Sequence, residues 1–291
     1  MQHVSGGPEW QNAKMDLEQR VIIAVDRMPA FPRSVQRLLE LTRDVNVEPR
    51  AIVEVLEHDP VMAGRILRTV NSAFYGLSRK VASMSHAVVM LGMNTVKNMA
   101  LAVSAAGMLP RQNAAGFDTG EYLRHSLVVA GMARVIAQRE GKADPGEAYI
   151  AGLLHDFGKV LFAVNLPEEF GRALKATENE GIALQEAEQR EIGMAHPQAG
   201  AMLARKWQFP ESLAEAIATH HDAVPGSGTP RCLFLADQLA RCDEKGEALP
   251  GRLLLPLPDA AGGSLGASWP EIVAGLSERD RIIAEAQAFT V

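Results

Sequence analysis

The feature that most constrains the fold of this chain is the helical spacing of its apolar residues. Segments with this spacing begin with an aspartate followed directly by a proline. Asp59-Pro60 and Asp144-Pro145 each place a capping carboxylate before a proline at the first helical position. After the first pair, Met62, Ile66 and Val70 recur at the spacing of one helix face. No stretch alternates apolar and polar residues as a half-buried strand would. The sequence therefore predicts an all-α fold built from many short helices.

Composition and charge narrow the class of protein. The 291 residues are 47% hydrophobic and 22% charged, which is ordinary for a globular protein with a sizeable core. The net charge of -6 disfavours a dedicated nucleic-acid-binding module, because such modules usually carry a basic face. No secretory leader opens the chain, and the apolar stretch 148–164 contains His155, Asp156 and Lys159, which disfavours a membrane span. We therefore expect a cytoplasmic protein that contacts neither membranes nor nucleic acids directly.

Changes in composition along the chain suggest its domain organisation. Residues 1–14 show no periodicity and are expected to form a disordered N-terminus. Residues 15–110 are expected to form an N-terminal helical lobe. The small, polar stretch 110–119 separates it from a second helical lobe at residues 118–245. Residues 246–291 begin with a stretch rich in Pro, Gly and Ala, and are expected to form an extension with terminal helices.

The stretch 152–159, Gly-Leu-Leu-His-Asp-Phe-Gly-Lys, carries the most chemical information. A neutral imidazole beside a carboxylate after an apolar run is unfavourable in a hydrophobic core. The same two groups are typical metal ligands and could supply half of a metal site. Gly158 allows a close backbone approach, and Lys159 can neutralise a phosphate. Adjacent helical residues diverge by about 100°. His155 and Asp156 can therefore face one site only near helix ends or on a crowded inner surface.

Further histidines and carboxylates in the second lobe suggest the rest of this site. Glu121 and His125 are one helical turn apart and share a face. His196 opens a helix, His220-His221 closes one, and Asp237 interrupts an apolar helix face. The predicted metal ligands are therefore Glu121, His125, His155, Asp156, His196, His220, His221 and Asp237.

Each of these residues also has an ordinary structural interpretation when taken alone. His125 could be a hydrogen-bonded helix residue, and the three histidines after residue 190 could cap helix ends. Asp237 could pair with a neighbouring arginine, Arg231 or Arg241. As a set they indicate divalent-metal binding by Mn, Fe, Zn or Mg, with a carboxylate able to bridge two ions. We expect one or two ions of Fe, Mn or Zn.

The order of these residues resembles the ligand order of the HD superfamily of metal-dependent phosphohydrolases: a His, then His-Asp, then a late Asp, here His125, His155-Asp156 and Asp237. Residues 28–104 resemble the HDOD (HD-related output domain) family. The matching phrases there are Met28–Pro32, His58–Pro60, Arg65–Gly76 and Ala87–Met93. Phrases of the second lobe also fit the family: Leu153–Lys159, His196–Leu203, Trp207 and Thr219–His221. The resemblance covers residues 20–245. It implies an all-α, multi-helix HD-superfamily bundle with an N-terminal helical HDOD lobe.

The second lobe also resembles the HD-GYP group, which hydrolyses cyclic di-GMP. That group has a Glu four residues before the first His, a third His and a His-His pair, and this chain has a counterpart of each. The stretch 222–230 resembles a degenerate form of the group's Gly-x-Gly-Tyr-Pro loop, with Pro225 replacing an Asp and Thr229 replacing the Tyr. Those two changes count against cyclic-dinucleotide recognition and leave metal binding untouched.

The resemblance implies a bacterial regulatory protein that acts through protein or ligand binding. The expected partners are response regulators, kinases or cyclic-nucleotide enzymes. The alternative is a metal-dependent phosphohydrolase or phosphodiesterase that acts on a nucleotide or cyclic dinucleotide. In that case Asp156 would bridge two ions and Lys159 would stabilise the phosphate charge, which makes both catalytic candidates. A di-iron redox or oxygen sensor is a third hypothesis.

A partner or ligand surface is expected around the Asn-Ser-Ala-Phe-Tyr-Gly phrase at residues 71–76, because several arginines and a lysine flank it. The residues predicted for that surface are Arg68, Asn71, Ser72 and Tyr75. The alternative is that Asn71 and Ser72 cap and order a structural loop, since both residue types form hydrogen bonds to nearby backbone.

Overall fold

The structure is a computed structural model of the chain, and it describes residues 17–41, 47–77, 79–222, 227–244 and 278–290. Every regular element in those ranges is a helix and none is a strand, so the all-α prediction is confirmed. The prediction for residues 1–14 lies outside the described residues, as does most of the predicted C-terminal extension.

The helices follow one another with short connections. The first part of the chain holds α1 (Leu17–Arg27), α2 (Arg33–Leu41), α3 (Pro49–Glu57), α4 (Pro60–Val70), α5 (Met84–Leu91) and α6 (Met93–Gly107). The next part holds α7 (Thr119–Glu140), α8 (Pro145–Leu154), α9 (Phe157–Asn165), α10 (Pro167–Glu180) and α11 (Leu184–Ile192). The last part holds α12 (His196–Lys206), α13 (Glu211–Ala218), α14 (Gly228–Glu244) and α15 (Arg279–Thr290).

The Asp-Pro pairs start helices as the sequence predicted. Asp59 accepts a hydrogen bond from the backbone N–H of Met62 at 3.0 Å, and proline occupies the first turn of α4. Asp144 accepts a hydrogen bond from an amide in the first turn of α8 at 2.7 Å in the same way. The apolar face predicted for α4 is buried at Met62, Ile66 and Val70. Capping and periodicity therefore determine these two helices locally.

α7 is the central helix of the second lobe. It is 22 residues long and buried along most of its length, and it packs against α8, α14 and α15. Gly152 lets α8 lie directly on α7, because a Cβ at that position would come within 2.6 Å of the Ala130 Cα atom. This close approach positions the C-terminal end of α8, and the residues that follow it, against α7.

Two neighbouring residues at the end of α12 attach the start of the chain to the second lobe. Lys206 Nζ donates to three carbonyl oxygens around the C-terminal end of α1 at 2.6 to 2.8 Å. The Trp207 indole donates to the Pro29 carbonyl oxygen at 3.0 Å. Its ring packs edge-on against Phe31 and Phe157, with centroids 4.8 and 5.2 Å away. α1 therefore packs on α9 and α12.

No single helix in the described ranges is long and apolar enough to cross a membrane. α5 and α6 meet the length and composition test only when taken together, and a bend of 120° separates them.

The α7–α8 contact generates a stability prediction. Gly152→Ala should lower the free energy of unfolding by about 1–3 kcal/mol, because its methyl group would overlap the α7 backbone. The matched control is Gly64→Ala in α4, where no atom lies within 4 Å of the added Cβ. That substitution should stabilise the protein by about 0.5–1 kcal/mol. Urea unfolding measures both, and equal stabilities for the two variants would contradict the packing described here.

Candidate metal centre

The chain changes direction at His155 and Asp156. α8 ends at Leu154, His155 caps that helix, and Asp156 immediately precedes α9. Gly158, in the first turn of α9, lies against the start of α12, where any Cβ would overlap the His196 carbonyl oxygen. The junction of two helix ends thus turns both buried side chains toward one site, as their adjacency in the sequence required.

Asp156 lies between two groups of histidines, and each of its carboxylate oxygens faces one group. Its Oδ2 atom is 3.3 Å from His155 Nε2 and 3.9 Å from His125 Nε2. Its Oδ1 atom is 3.1 Å from His196 Nε2 and 3.5 Å from His220 Nε2. One buried carboxylate therefore joins two sets of potential metal ligands.

The first of these sets also contains Asp237 of α14, which is fully buried. Its Oδ1 atom is 3.1 Å from His125 Nε2 and 3.5 Å from His155 Nε2. Four residues therefore contribute to what we call the first cluster: His125, His155, Asp156 and Asp237.

The second set is completed by His221, whose Nε2 atom is 3.0 Å from His196 Nε2. The ligand atoms of this second cluster lie within 4.8 Å of one another. Its members are Asp156, His196, His220 and His221. The two clusters bring together every predicted ligand except Glu121.

Hydrogen bonds on the far side of three imidazole rings determine which nitrogen faces the site. His155 and His220 donate from Nδ1 to backbone carbonyl oxygens three residues earlier, at 2.8 and 2.7 Å. His196 Nδ1 lies 2.6 Å from Glu188 Oε2. In each ring Nδ1 carries the proton in the neutral form, so the Nε2 lone pair points toward carboxylate oxygens. That arrangement is repulsive unless a proton or a metal ion lies between the groups.

Three buried atoms at the centre of the site have no hydrogen-bond partner: His155 Nε2, Asp156 Oδ1 and His220 Nε2. A buried polar group left without a partner costs about 1–3 kcal/mol. These atoms come from both clusters, and imidazole nitrogen with carboxylate oxygen is the ligand combination of Fe, Mn and Zn sites. By its donor set and by its unsatisfied atoms, the site fits divalent cations.

The charges on the two aspartates of the first cluster favour the binding of a cation. Burial opposes charge on Asp156, but His155 and Lys159 outweigh it and hold the pKa of Asp156 well below its usual range. Burial likewise opposes charge on Asp237, and Arg241 outweighs it and lowers that pKa. Burial also opposes charge on His155, yet the two aspartates raise its pKa to about 9. A proton on His155 therefore competes with a metal ion, and metal binding releases that proton.

The second cluster is electrostatically different from the first. Burial lowers the pKa of His220 to about 4. Burial, reinforced by the neighbouring His220 and His196, also lowers the pKa of His221 far below its usual range. His220 and His221 are therefore neutral near pH 7, and neutral imidazole is the form that coordinates metals.

Two cations border the clusters. Lys159 Nζ donates to Asp156 Oδ2 at 2.6 Å, and its side chain is 14% exposed. Arg241 donates to both oxygens of Asp237 at 2.8 and 2.9 Å. Of the two arginines considered as partners of Asp237, the structure therefore selects Arg241, while Arg231 pairs with a glutamate of α7. The arginine pairing and the histidine contacts of Asp237 coexist.

Glu188 of α11 belongs to the site although the sequence did not reveal it. This fully buried carboxylate accepts hydrogen bonds from the backbone N–H of His196 at 2.8 Å and from its ring nitrogen. A carboxylate behind a ligating histidine fixes the ring and raises its basicity. α11 is rich in glutamate, and nothing in its sequence distinguishes Glu188 from exposed Glu186, because only the packing of α11 turns one of them inward.

An opening of about 500 Å³ connects the surface with the first cluster, a volume within the range of small-molecule pockets. Its lining includes His125, Asp156, Lys159, Arg241, Lys175, Phe117 and Tyr122. Glu121 also lies on its wall, but it is exposed and separate from the clustered ligand atoms. The role of Glu121 as a metal ligand therefore stays a prediction.

The loop after α4 is held together from within. Asn71 accepts a hydrogen bond from the Val81 N–H and donates to the Val81 carbonyl oxygen, both at 2.8 Å. The Tyr75 hydroxyl donates to a glutamate of α15 at 2.8 Å. The Ser72 hydroxyl is buried without a hydrogen-bond partner, whereas Arg68 is exposed. Asn71 thus orders its loop, and a partner surface at these residues stays a prediction.

Comparison with known families agrees with this architecture. The family model of the HDOD domain matches residues 28–223, which is more than half of the chain. The chain belongs to the HDOD domain family. The match includes the N-terminal lobe as well as most of the histidine-bearing helices, so it supports the HD-superfamily resemblance recognised in the sequence.

Solved structures resemble this HDOD protein along nearly its whole length. An HDOD domain protein with unknown function from Geobacter sulfurreducens has a TM-score of 0.76 and 27% identity, covering 94% of this chain and 99% of that one. A candidate phosphohydrolase from Shewanella amazonensis has a TM-score of 0.73 and 25% identity, covering 93% and 98%. The MmoQ response regulator from Methylococcus capsulatus has a TM-score of 0.50 and 27% identity, covering 87% and 99%.

Among curated proteins, an uncharacterized protein of Treponema pallidum is 27% identical over 205 residues. That alignment covers 68% of this HDOD chain but only 39% of the relative. The chain thus spans less than half the length of this relative.

Proposed function

We propose that this HDOD protein is a metal-dependent phosphohydrolase that serves a signalling pathway in the cytoplasm, with a nucleotide or cyclic dinucleotide as the substrate class. The observation that carries the proposal is the Asp156 carboxylate, whose two oxygens face two separate sets of histidine nitrogens. The similarity to a candidate phosphohydrolase at 25% identity supports it.

Each cluster would hold one ion, of Fe, Mn or Zn, and Asp156 would be shared between them. Two divalent ions at such a site lower the pKa of a bound water and clamp the oxygens of a phosphate ester. The chain's own contribution is to turn the Nε2 atoms of three histidines toward the ions and to hold the rings in place through their Nδ1 atoms.

The opening beside the first cluster supplies the other groups that a phosphate ester needs. Lys159 lines this opening beside Asp156 and would offer a cation to the phosphate oxygens. Phe117 and Tyr122 on the wall offer apolar surface to an organic group. A volume of about 500 Å³ admits a mononucleotide-sized ligand.

A regulatory role through binding alone is the second candidate, with response regulators, kinases or cyclic-nucleotide enzymes as partners. The similarity to a response regulator at 27% identity favours it. A di-iron sensor would use the same ligand set. The hydrolase and the sensor both require bound metal. Only the hydrolase cleaves a phosphate ester, so an assay of hydrolysis distinguishes it from the sensor and from the binding-only regulator.

Metal content is the first prediction. The full chain, purified without chelator, should carry about one or two equivalents of Fe, Mn or Zn. The double variant His155→Ala/Asp156→Ala should lose them, because it removes the shared carboxylate and an imidazole. His86→Ala, at an exposed histidine of α5, is the matched control and should keep them. Elemental analysis measures the metal content of all three proteins. A double variant with the same metal content as the wild type would contradict the proposal.

The role of Glu188 can be tested through metal affinity. Glu188→Ala should weaken binding of the ion in the second cluster by about 10- to 100-fold, because His196 loses the carboxylate that orients it. Glu186→Ala, an exposed glutamate on the same helix, is the control and should bind as the wild type does. Competition titration against a chromogenic chelator measures both. Unchanged affinity in Glu188→Ala would show that His196 does not depend on this carboxylate.

Hydrolysis is the third prediction. The metallated protein should cleave bis(4-nitrophenyl) phosphate or cyclic di-GMP, and Lys159→Met should lower kcat by about 100-fold or more, because the transition-state charge loses its cation. Release of nitrophenol, or chromatography of the nucleotide products, gives the rate. A fully metallated, folded sample that cleaves neither substrate would leave the binding role as the better account.

A further inference from the structure

A second cavity, of about 480 Å³, lies between α6, α7, the start of α8 and α15, and no metal-centre residue lines it. We call it the α15 cavity. Three cationic side chains, Lys97, Arg134 and Arg281, contribute to its wall. None of them is used by the proposed function.

Lys97 is the most unusual group of this cavity. It is only 9% exposed, and within the described ranges it forms no ion pair or hydrogen bond. Its ammonium lies beside the first turn of α8, 3.2 Å from where a Cβ on Gly146 would be. Burial lowers its pKa, and the nearby Asp144 only partly opposes that effect. A buried ammonium without a close partner is unfavourable, so the site is incomplete as it stands.

Two further polar groups of the same wall lack partners. Asn98 is 5% exposed, and its side-chain oxygen has no hydrogen-bond partner. Arg134 Nε is buried without a hydrogen-bond partner, and its guanidinium lies 5.8 Å from the Tyr149 ring centroid. An amide can turn its oxygen or its nitrogen toward a ligand, and guanidinium offers several N–H donors.

The acidic residues of the cavity are engaged elsewhere. Asp144 caps α8 through a backbone amide at 2.7 Å. Glu278 pairs with Arg139 at 3.3 Å, and Glu285 accepts the Tyr75 hydroxyl at 2.8 Å. Among the described residues none of these three acids forms an ion pair with Lys97, Arg134 or Arg281, although Asp144 lies near Lys97 and raises its pKa.

We propose that the α15 cavity binds a small phosphate-bearing anion, with Lys97 and Arg134 as its charged contacts and Asn98 as a neutral one. Ammonium, guanidinium and amide groups all donate hydrogen bonds to phosphate oxygens in proteins. This site is distinct from the metal centre and does not depend on the proposed hydrolase activity. Its volume leaves room for an organic group attached to the phosphate.

Titration of the full chain with inorganic phosphate tests the proposal. Calorimetry and thermal unfolding, at matched ionic strength in chloride, should show saturable binding and a rise in Tm. Lys97→Met should weaken binding by about 10- to 100-fold, because it removes a charged hydrogen-bond donor. The same variant should unfold at a higher temperature than the wild type without phosphate, since a buried charge is gone. Lys142→Met, at an exposed lysine, is the matched control and should bind phosphate normally.

The variant His155→Ala/Asp156→Ala shows which of the two sites binds the anion. It changes only the metal centre, so it should still bind phosphate. Binding lost in that variant but kept in Lys97→Met would overturn the proposal and assign the anion to the metal centre. Absence of binding in the wild type, or equal binding in Lys97→Met, would overturn it as well. If Lys97→Met does not fold, Arg134→Gln gives the same test, with the same loss of phosphate affinity expected.

Discussion

The shared carboxylate of Asp156 is the group around which the second lobe is organised. Its charge is buried, which is costly unless cations or hydrogen-bond donors surround it. Lys159 supplies one cation, His155 supplies another when it is protonated, and the neutral His220 presents the lone pair of its Nε2 atom to the other oxygen. Only positive charge placed among these groups makes the arrangement favourable. The fold thus maintains a site that is electrostatically incomplete, and such sites are typical of metal binding.

Helix ends make this arrangement possible. His155 and Asp156 sit where α8 stops and α9 begins, His196 opens α12, and His220-His221 follow the end of α13. Adjacent residues in mid-helix would point about 100° apart, whereas residues at a junction can converge. Gly158 completes the geometry, since it allows α9 to touch the backbone of α12. Backbone packing therefore sets the distances between ligands that are far apart in sequence.

Both cavities described here use the same helices in different ways. α7 carries His125 toward the metal centre and Arg134 toward the α15 cavity, nine residues later. α8 begins beside Lys97 and ends at His155. A ligand at the start of α8 and an ion at its end would therefore both contact one ten-residue helix. The metal centre is nonetheless defined by its own side chains, independently of what occupies the second cavity.

By itself the sequence determined the helices and indicated most residues of the candidate ligand set. Asp-Pro caps and apolar spacing are local signals, and the residues His125, His155-Asp156, His196, His220-His221 and Asp237 carry a pattern that is readable without coordinates. The tertiary structure alone decided that Glu188 supports His196, that Glu121 stays outside the clusters, and that Lys97 is buried without a partner. These outcomes depend on which helix face meets which neighbour. Long-range packing decides that orientation, and no local sequence signal encodes it.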